Sequence, residues 1–514
     1  MEGGCPHPPR ASRRAYWLLG LLLLLGAMLR GSFYERPYGH PDETITVEVV
    51  GYMRRSGDWD TNWARANLEP LLRYDQYNFS SHLYATYFFY RGVKLWPGTA
   101  EWRSAANGLP VYRFFSVLLA VVVIVQTWCL ARRGLGSPAA LLAAALVAVA
   151  PILVQDAHYA RPEAFVTVLT LATVGWCWPR PQLSAGRVLM AAFGLGLLVA
   201  AKISMLLLGF VLLVPILAAT TGPRKTVGAL LPFAMALGFI CGAPGAVVHP
   251  AAFANGVRHL TEQYAGLHPP HSHFDGGMVA DLLIRYTGAT FGWAAIAAFL
   301  VGGVTLARTR RWPELGLLVG PVVVFAGYFA TRSVFFERNL SHVVPLFLIV
   351  AALGVCTVAE EVRQRFRLCG RSGWIATTLL FGLLVLRPLE VTGRLVGLEF
   401  SGQADGRHAA FEQTVRSQYP EAGWLSTLFL AEAQLDEVAA ELREHPKPLL
   451  VRVSDYHDDF TREYLRQFLE RFDARKVAED PGTFPDLPPC TLLTYHRSRE
   501  HYFIVHGIRR TADR

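Results

Sequence analysis

Asp42 and Glu43 are adjacent carboxylates just beyond the first apolar run of the chain, which extends from Tyr16 to about Phe33. Two negative charges are thereby set at the far lipid–water boundary. An aspartate at the centre of a bilayer helix costs about 2.5–3.5 kcal/mol, so the pair belongs at the interface or in a wet cavity. Pro41 suits the first turn of a new helix, where its missing N–H costs nothing. The two acids would then meet the positive end of the helix dipole. A helix-start acidic cap and a chemical site are both compatible with the pair taken alone.

Other residues share this depth. Asp156, His158, Arg161 and Glu163 fall between the third and fourth apolar runs, and Lys202 between the fifth and sixth. Arg332, Glu337, Arg338 and His342 flank the start of the tenth. Cations at an outer boundary run against the usual bias, so each needs a local reason. Singly, each reads as a snorkelling or ion-paired side chain. Together, acids and cations at one level describe a site for a phosphorylated amphiphile. A further loop holds His268, His271, His273 and Asp275, a ligand set suited to a divalent metal. Its prolines and glycines describe a solvated segment with no preset geometry, and the sequence commits to no cofactor.

The elements that must position these groups are membrane helices. Hydrophobic residues make up 52% of the chain and charged residues only 17%, with repeated apolar runs of bilayer length. The spans are expected near 16–33, 110–131, 137–155, 163–178, 188–201, 203–220, 226–247, 279–306, 313–330, 340–359 and 373–389. The net charge of +9 is not a nucleic-acid signature, because the arginines cluster between spans. Alternate connections hold about 16 basic residues on one side against 5 on the other, which fixes a cytoplasmic N-terminus under the positive-inside rule. The first run reads as a retained anchor, with a cleaved signal peptide as the rival reading. Seven scattered cysteines without CxxC spacing imply neither a disulfide framework nor a zinc site.

Residues 31–109 form an outer loop rich in Trp and Tyr, expected to lie on the membrane as interfacial helices. From about residue 391 the pattern becomes that of a soluble α/β module. Strands are expected at Pro448–Ser454, Thr491–Tyr495 and Tyr502–Ile508, and a helix at Thr461–Phe472. The domain division is therefore 1–390, membrane part, and 391–514, C-terminal module outside the cytoplasm. Arginine well in excess of lysine, with abundant alanine, points to a GC-rich bacterial source and hence an inner membrane.

The order of these features resembles the GT-C superfamily of membrane glycosyltransferases. The resemblance is to the dolichyl-phosphate-mannose protein mannosyltransferase and aminoarabinose transferase branch, glycosyltransferase families 39 and 83. It is carried by Asp42-Glu43 and a large outer loop with Gly57-Asp58-Trp59, by Arg113-Phe-Phe-Ser116 opening the second span, and by Pro151 through His158-Tyr-Ala-Arg161-Pro-Glu163. Lys202 after an Ala-rich helix and Phe336-Glu-Arg338-Asn-Leu complete it. The resemblance covers most of residues 15–360. It implies an inverting transfer of a hexose or pentose from a polyprenyl-phosphate donor to a hydroxyl of a glycan, lipid or protein acceptor, on the outer face. By the same resemblance Asp42 is the general base with Glu43 supporting it, and Glu163 is a second carboxylate that orients sugar or acceptor. The family often has aspartate at the Glu163 position. Lys202 and Arg338 are the phosphate ligands, with His158 and Arg161 beside them at the substrate. A transporter or flippase for a lipid-linked or anionic solute is the alternative; it predicts midplane charges and related halves, which the sequence lacks. A non-catalytic assembly protein would need no carboxylates.

Overall fold

The computed structural model describes residues 13–35, 42–70, 72–95, 108–267, 276–368, 370–427, 432–445, 447–455, 458–487 and 499–509. The eleven expected spans all coincide with helical segments. Among the described residues, five helices are individually long and apolar enough to cross a bilayer: Arg13–Gly31, Leu109–Leu135, Arg224–Gly242, Val344–Arg365 and Ile375–Phe400. Three spans are bent pairs, Ser137–Ala148 with Pro151–Ala157, Gly276–Phe291 with Trp293–Arg308, and Trp312–Leu318 with Gly320–Ala330. Three shorter apolar helical segments, Glu163–Trp176, Ala185–Ala201 and Ile203–Ala218, complete the set. The chain is a polytopic helical membrane protein with a small α/β module at its C-terminal end. It divides into two compact units, one of Met1–Glu262, Phe291–Tyr328 and Arg338–Thr392, the other of Gln263–Thr290, Phe329–Glu337 and Gly393–Arg514.

In the first unit, α1 (Arg13–Gly31) leads to α2 (Glu43–Ser56) and α3 (Ser80–Val93) of the outer loop. Spanning helices follow as α4 (Leu109–Leu135), α5 (Ser137–Ala148), the short α6 (Pro151–Ala157), α7 (Glu163–Trp176) and α8 (Ala185–Ala201). The α5–α6 pair bends by 55° where Pro151 interrupts the hydrogen-bond ladder. The carbonyls released there are not left bare. Arg30, fully buried at the end of α1, donates to Ala148 O at 2.7 Å and Val147 O at 2.8 Å. A cation at a helix C-terminus also complements the dipole. Thr392 donates to Val149 O at 2.8 Å.

Two glycine contacts set the depth of the helices that carry site residues. A Cβ on Gly196 of α8 would stand 2.1 Å from Met235 O, and one on Gly238 would stand 2.0 Å from Phe193 O. Helix α8 and its neighbour α9 (Arg224–Gly242) therefore touch backbone to backbone, the small-residue packing that replaces hydrophobic drive inside lipid. The outer loop has its own aromatic core, in which Ile45, Val49 and Met53 of α2 pack with Leu83, Tyr87 and Tyr90 of α3 and with Tyr112 of α4.

In the second unit the C-terminal module is a four-stranded sheet of order β1-β2-β4-β3, with β1 (Gly423–Thr427), β2 (Leu449–Asp455), β3 (Phe472–Asp480) and β4 (Arg499–Ile508). Strands β1 and β2 are parallel and joined through the helix Glu432–Glu444; β4 runs antiparallel to both neighbours. Residues 501–505 of β4 are buried without alternation, because both faces of the sheet are covered. Val451, Val453, Phe503 and Val505 face one cluster, and Leu450, Tyr502 and Ile504 the other. The expected strand Thr491–Tyr495 lies outside the described residues.

Candidate active site

Asp42 occupies the N-cap position of α2, yet its side chain makes no capping hydrogen bond. Its carboxylate turns instead to cations: Oδ2 lies 3.1 Å from Arg338 Nη2 and 3.8 Å from Arg161 Nη2. Arg161 in turn donates to Glu163 Oε1 at 2.8 Å, and Lys202 Nζ stands 3.7 Å from the same oxygen. Five of the charged groups singled out from the sequence thus form one chain, Arg338–Asp42–Arg161–Glu163–Lys202. Arg161 and Glu163 are almost completely buried, whereas the Asp42, Arg338 and Lys202 side chains keep 22%, 19% and 14% of their surface exposed. The network therefore has a buried middle at Arg161–Glu163 flanked by partly exposed groups, Asp42–Arg338 on one side and Lys202 on the other.

Local structure explains the convergence. Residues 158–162 form a tight connection between α6 and α7, so Arg161 is folded back beside Glu163, the first residue of α7. Lys202 ends α8, where the Phe79 N–H donates to Ala201 O at 3.0 Å and ties the start of α3 to that point. Arg338 lies in a single 3-10 turn, Glu337–Leu340, ahead of the long helix Val344–Arg365. Burial lowers the Arg161 pKa, but the nearby carboxylates of Glu163, Asp42 and Asp156 outweigh it and raise it. Lys202 is lowered to about 8, first by burial and then by Arg338 and Arg161, with Glu163 and Asp156 opposing.

Glu43 is placed differently. Arg113 grips it in a bidentate pair, donating from Nε to Oε1 at 2.8 Å and from Nη2 to Oε2 at 2.6 Å. The Ala160 N–H adds a third bond to Oε1 at 2.7 Å. Both side chains of the pair are buried. These three hydrogen bonds fix α2, α4 and the 158–162 connection to one another. His158 is also turned away, its Nδ1 2.7 Å from Val154 O and its Nε2 2.8 Å from Ser32 O, where it pins the chain leaving α1. Arg30 and Arg113 are the positioning residues that the sequence signal undervalued. Each is a buried arginine inside or at the end of an apolar run, and that alone is a signal for a specific partner.

The loop with His268, His271, His273 and Asp275 lies outside the described residues. Among the described residues, Glu441, Glu444 and His445 form the one group of three metal-type ligands within reach of one another; they sit toward solvent at the end of the helix Glu432–Glu444. The Gly57-Asp58-Trp59 stretch lies at the far end of α2, about 21 Å along that 14-residue helix from Asp42. Asp58 and Trp59 line a cavity of about 430 Å³ together with Arg65, Phe88 and His249.

Residues 105–247 match the family model of dolichyl-phosphate-mannose-protein mannosyltransferase, a segment that includes Arg113, Arg161, Glu163 and Lys202. No curated protein matches the chain in sequence. Among solved structures, the oligosaccharyltransferase of Archaeoglobus fulgidus in its apo form superposes with a TM-score of 0.51 at 14% identity, over 74% of this chain and 56% of that one. The chain has the GT-C fold. It therefore spans little more than half the length of that archaeal enzyme. ArnT from Cupriavidus metallidurans is similar over 96% of this chain and 98% of its own, with 15% identity and a TM-score of 0.49 in the apo state. A second structure of ArnT, bound to undecaprenyl phosphate, gives a TM-score of 0.47 with the same coverage and identity. The GT-C fold expected from the motif order is thus present, and residues 105–247 are similar to the mannosyltransferase family model.

Proposed function

We propose that the protein transfers a sugar from a polyprenyl-phosphate donor to an acceptor hydroxyl, with Asp42 as the general base. The observation that supports this most strongly is the partly exposed Asp42 carboxylate, which makes no capping hydrogen bond and is set between two arginines beside a buried charge pair. A hydroxyl is a poor nucleophile, and a positioned base that takes its proton contributes about 10²–10⁴-fold. The acceptor oxygen bonds to the anomeric carbon as the bond from that carbon to the phosphate oxygen breaks. The acceptor proton passes to Asp42 and the bonding pair leaves on the lipid phosphate. The departing phosphate needs cations preorganised around it, and Arg338 and Lys202 are the exposed members of the network suited to that task. Direct displacement inverts the anomeric centre.

In this reading Glu43 positions Asp42 without touching substrate, and Arg161 holds Glu163 in the buried middle of the network. We further assign residues 1–390 to the transferase part and 391–514 to a module on the same outer side as the site, following the basic bias of the alternate connections. The membrane is a bacterial inner membrane in this assignment, with the N-terminus cytoplasmic. The test is to incubate the purified protein with a panel of polyprenyl-phosphate hexoses and pentoses and to follow release of polyprenyl phosphate. Release that depends on an added acceptor supports the proposal; no release from any donor overturns it.

A further inference from the structure

His82 lies in the first turn of α3 and played no part in the network described above. Its side chain is buried, with 1% of its surface exposed, and neither Nδ1 nor Nε2 has a hydrogen-bond partner among the described residues. A buried polar atom without a partner costs about 1–3 kcal/mol, so two on one ring call for an explanation. Packing against apolar neighbours does not supply one, since a leucine would fill the same space at no such cost.

The position of the ring supplies the explanation. Helix α3 is anchored beside the site at two points: the Phe79 N–H donates to Ala201 O, next to Lys202, and Ser81 Oγ donates to Leu197 O at 2.8 Å. One residue later His82 faces α7, its ring centroid 5.9 Å from that of Phe165, two residues after Glu163. The Glu163 carboxylate is near enough for its charge to act on the ring, although burial dominates and lowers the His82 pKa to about 4. The imidazole is therefore neutral near pH 7 and offers one N–H donor and one acceptor. Glu163 itself spends Oε1 on Arg161 and Lys202, while its buried Oε2 has no partner among the described residues.

We propose that His82 and Glu163 together bind one hydroxyl of the donor's sugar ring, His82 donating from its N–H and Glu163 accepting through Oε2. This rests on the reading of the chain as a polyprenyl-phosphate sugar transferase, and it makes His82 a specificity-determining residue. A site built to bond a hydroxyl rejects the analogue that lacks it, because its own buried groups are then left unpaired.

The experiment is a cycle between protein and donor. Wild type, His82→Leu and His82→Gln are assayed with a polyprenyl-phosphate sugar that the wild type uses and with its monodeoxy analogues. Inhibition by undecaprenyl phosphate, which has no sugar, is measured alongside. With the full donor, His82→Leu should lower kcat/KM about 10–100-fold and His82→Gln should recover part of the loss, because it retains an N–H. With one particular deoxy donor, wild type and His82→Leu should become equal, and undecaprenyl phosphate should inhibit all three alike. If His82→Leu does not fold, His82→Phe, which also lacks an N–H donor, carries the same cycle. A wild type that discharges no donor overturns the transferase reading and this proposal with it. An active wild type whose His82 variants lose nothing, or lose equally on every deoxy donor, overturns the proposal alone.

Discussion

Arg338 Nη2 sits 3.1 Å from Asp42 Oδ2, so the cation proposed for the donor phosphate and the carboxylate proposed as base form an ion pair with each other. The donor phosphodiester carries a single charge like a carboxylate, and its two non-bridging oxygens suit the planar fork of an arginine. Its binding would draw Arg338 away and expose Asp42 to the acceptor hydroxyl, coupling activation of the base to the presence of donor. Arg338→Ala should then raise the donor KM about 10–100-fold, in line with the loss of hydrogen bonds to a charged group. Arg338→Lys should recover only part. Donor titration at saturating acceptor, with a parallel melting curve, checks this; unchanged donor dependence with a large loss of stability would assign Arg338 to the fold.

Lys202 should give the site an alkaline limit. Burial, reinforced by Arg338 and Arg161, brings its pKa down to about 8, so the free protein loses this cation as pH rises through that value. If Lys202 holds phosphate, kcat/KM for the donor falls above about pH 8. Bound phosphate stabilises the charged form, so the fall in kcat comes at higher pH than the fall in kcat/KM. Lys202→Arg keeps the charge and should remove the limit. Identical pH profiles for wild type and Lys202→Arg would contradict the assignment.

The Glu43–Arg113 pair should act on stability before it acts on chemistry. Breaking one member of a buried, bidentate pair leaves an uncompensated charge and costs about 3–5 kcal/mol. Glu43→Gln and Arg113→Ala should each lower the melting temperature, and the double variant should be less damaged than the two losses added together. Additive losses would show that the two side chains do not depend on each other.

The proposed orientation is open to direct labelling. In a cysteine-free background, Ser417→Cys on the exposed end of the helix Gln403–Ser417 should react with an impermeant maleimide on intact cells. Ser137→Cys, in the Arg132-Arg133 connection, should react only after lysis. The reverse pattern would invert the topology.

Much of the membrane architecture was legible because lipid imposes one strong rule, that spans be long and apolar, and the arginines mark alternate connections. The charged residues of the site were legible for the same reason: Arg161, Lys202 and Arg338 stand where the bias disfavours them. Their pairing was not, because it depends on tertiary folding of short connections such as residues 158–162. Asp42 was read as the base and Glu43 as its support from the resemblance alone, and the reach of Arg113 from α4 to Glu43 was not legible. His82 was hidden in an aromatic stretch that reads as an interfacial helix. In the C-terminal module, β2 and β4 were visible as apolar runs. Strand β3, with Arg475, Lys476 and Glu479 in it, was not, since an outer strand of a sheet tolerates charge.

The central claim is that Asp42 takes the acceptor proton, and Asp42→Asn tests it most directly. The amide keeps the shape of the carboxylate and removes the basic lone pair. The account predicts that purified Asp42→Asn, with a melting profile close to wild type, releases polyprenyl phosphate at least about 10²-fold more slowly at saturating donor and acceptor. Near-wild-type turnover by the folded Asp42→Asn protein would contradict it.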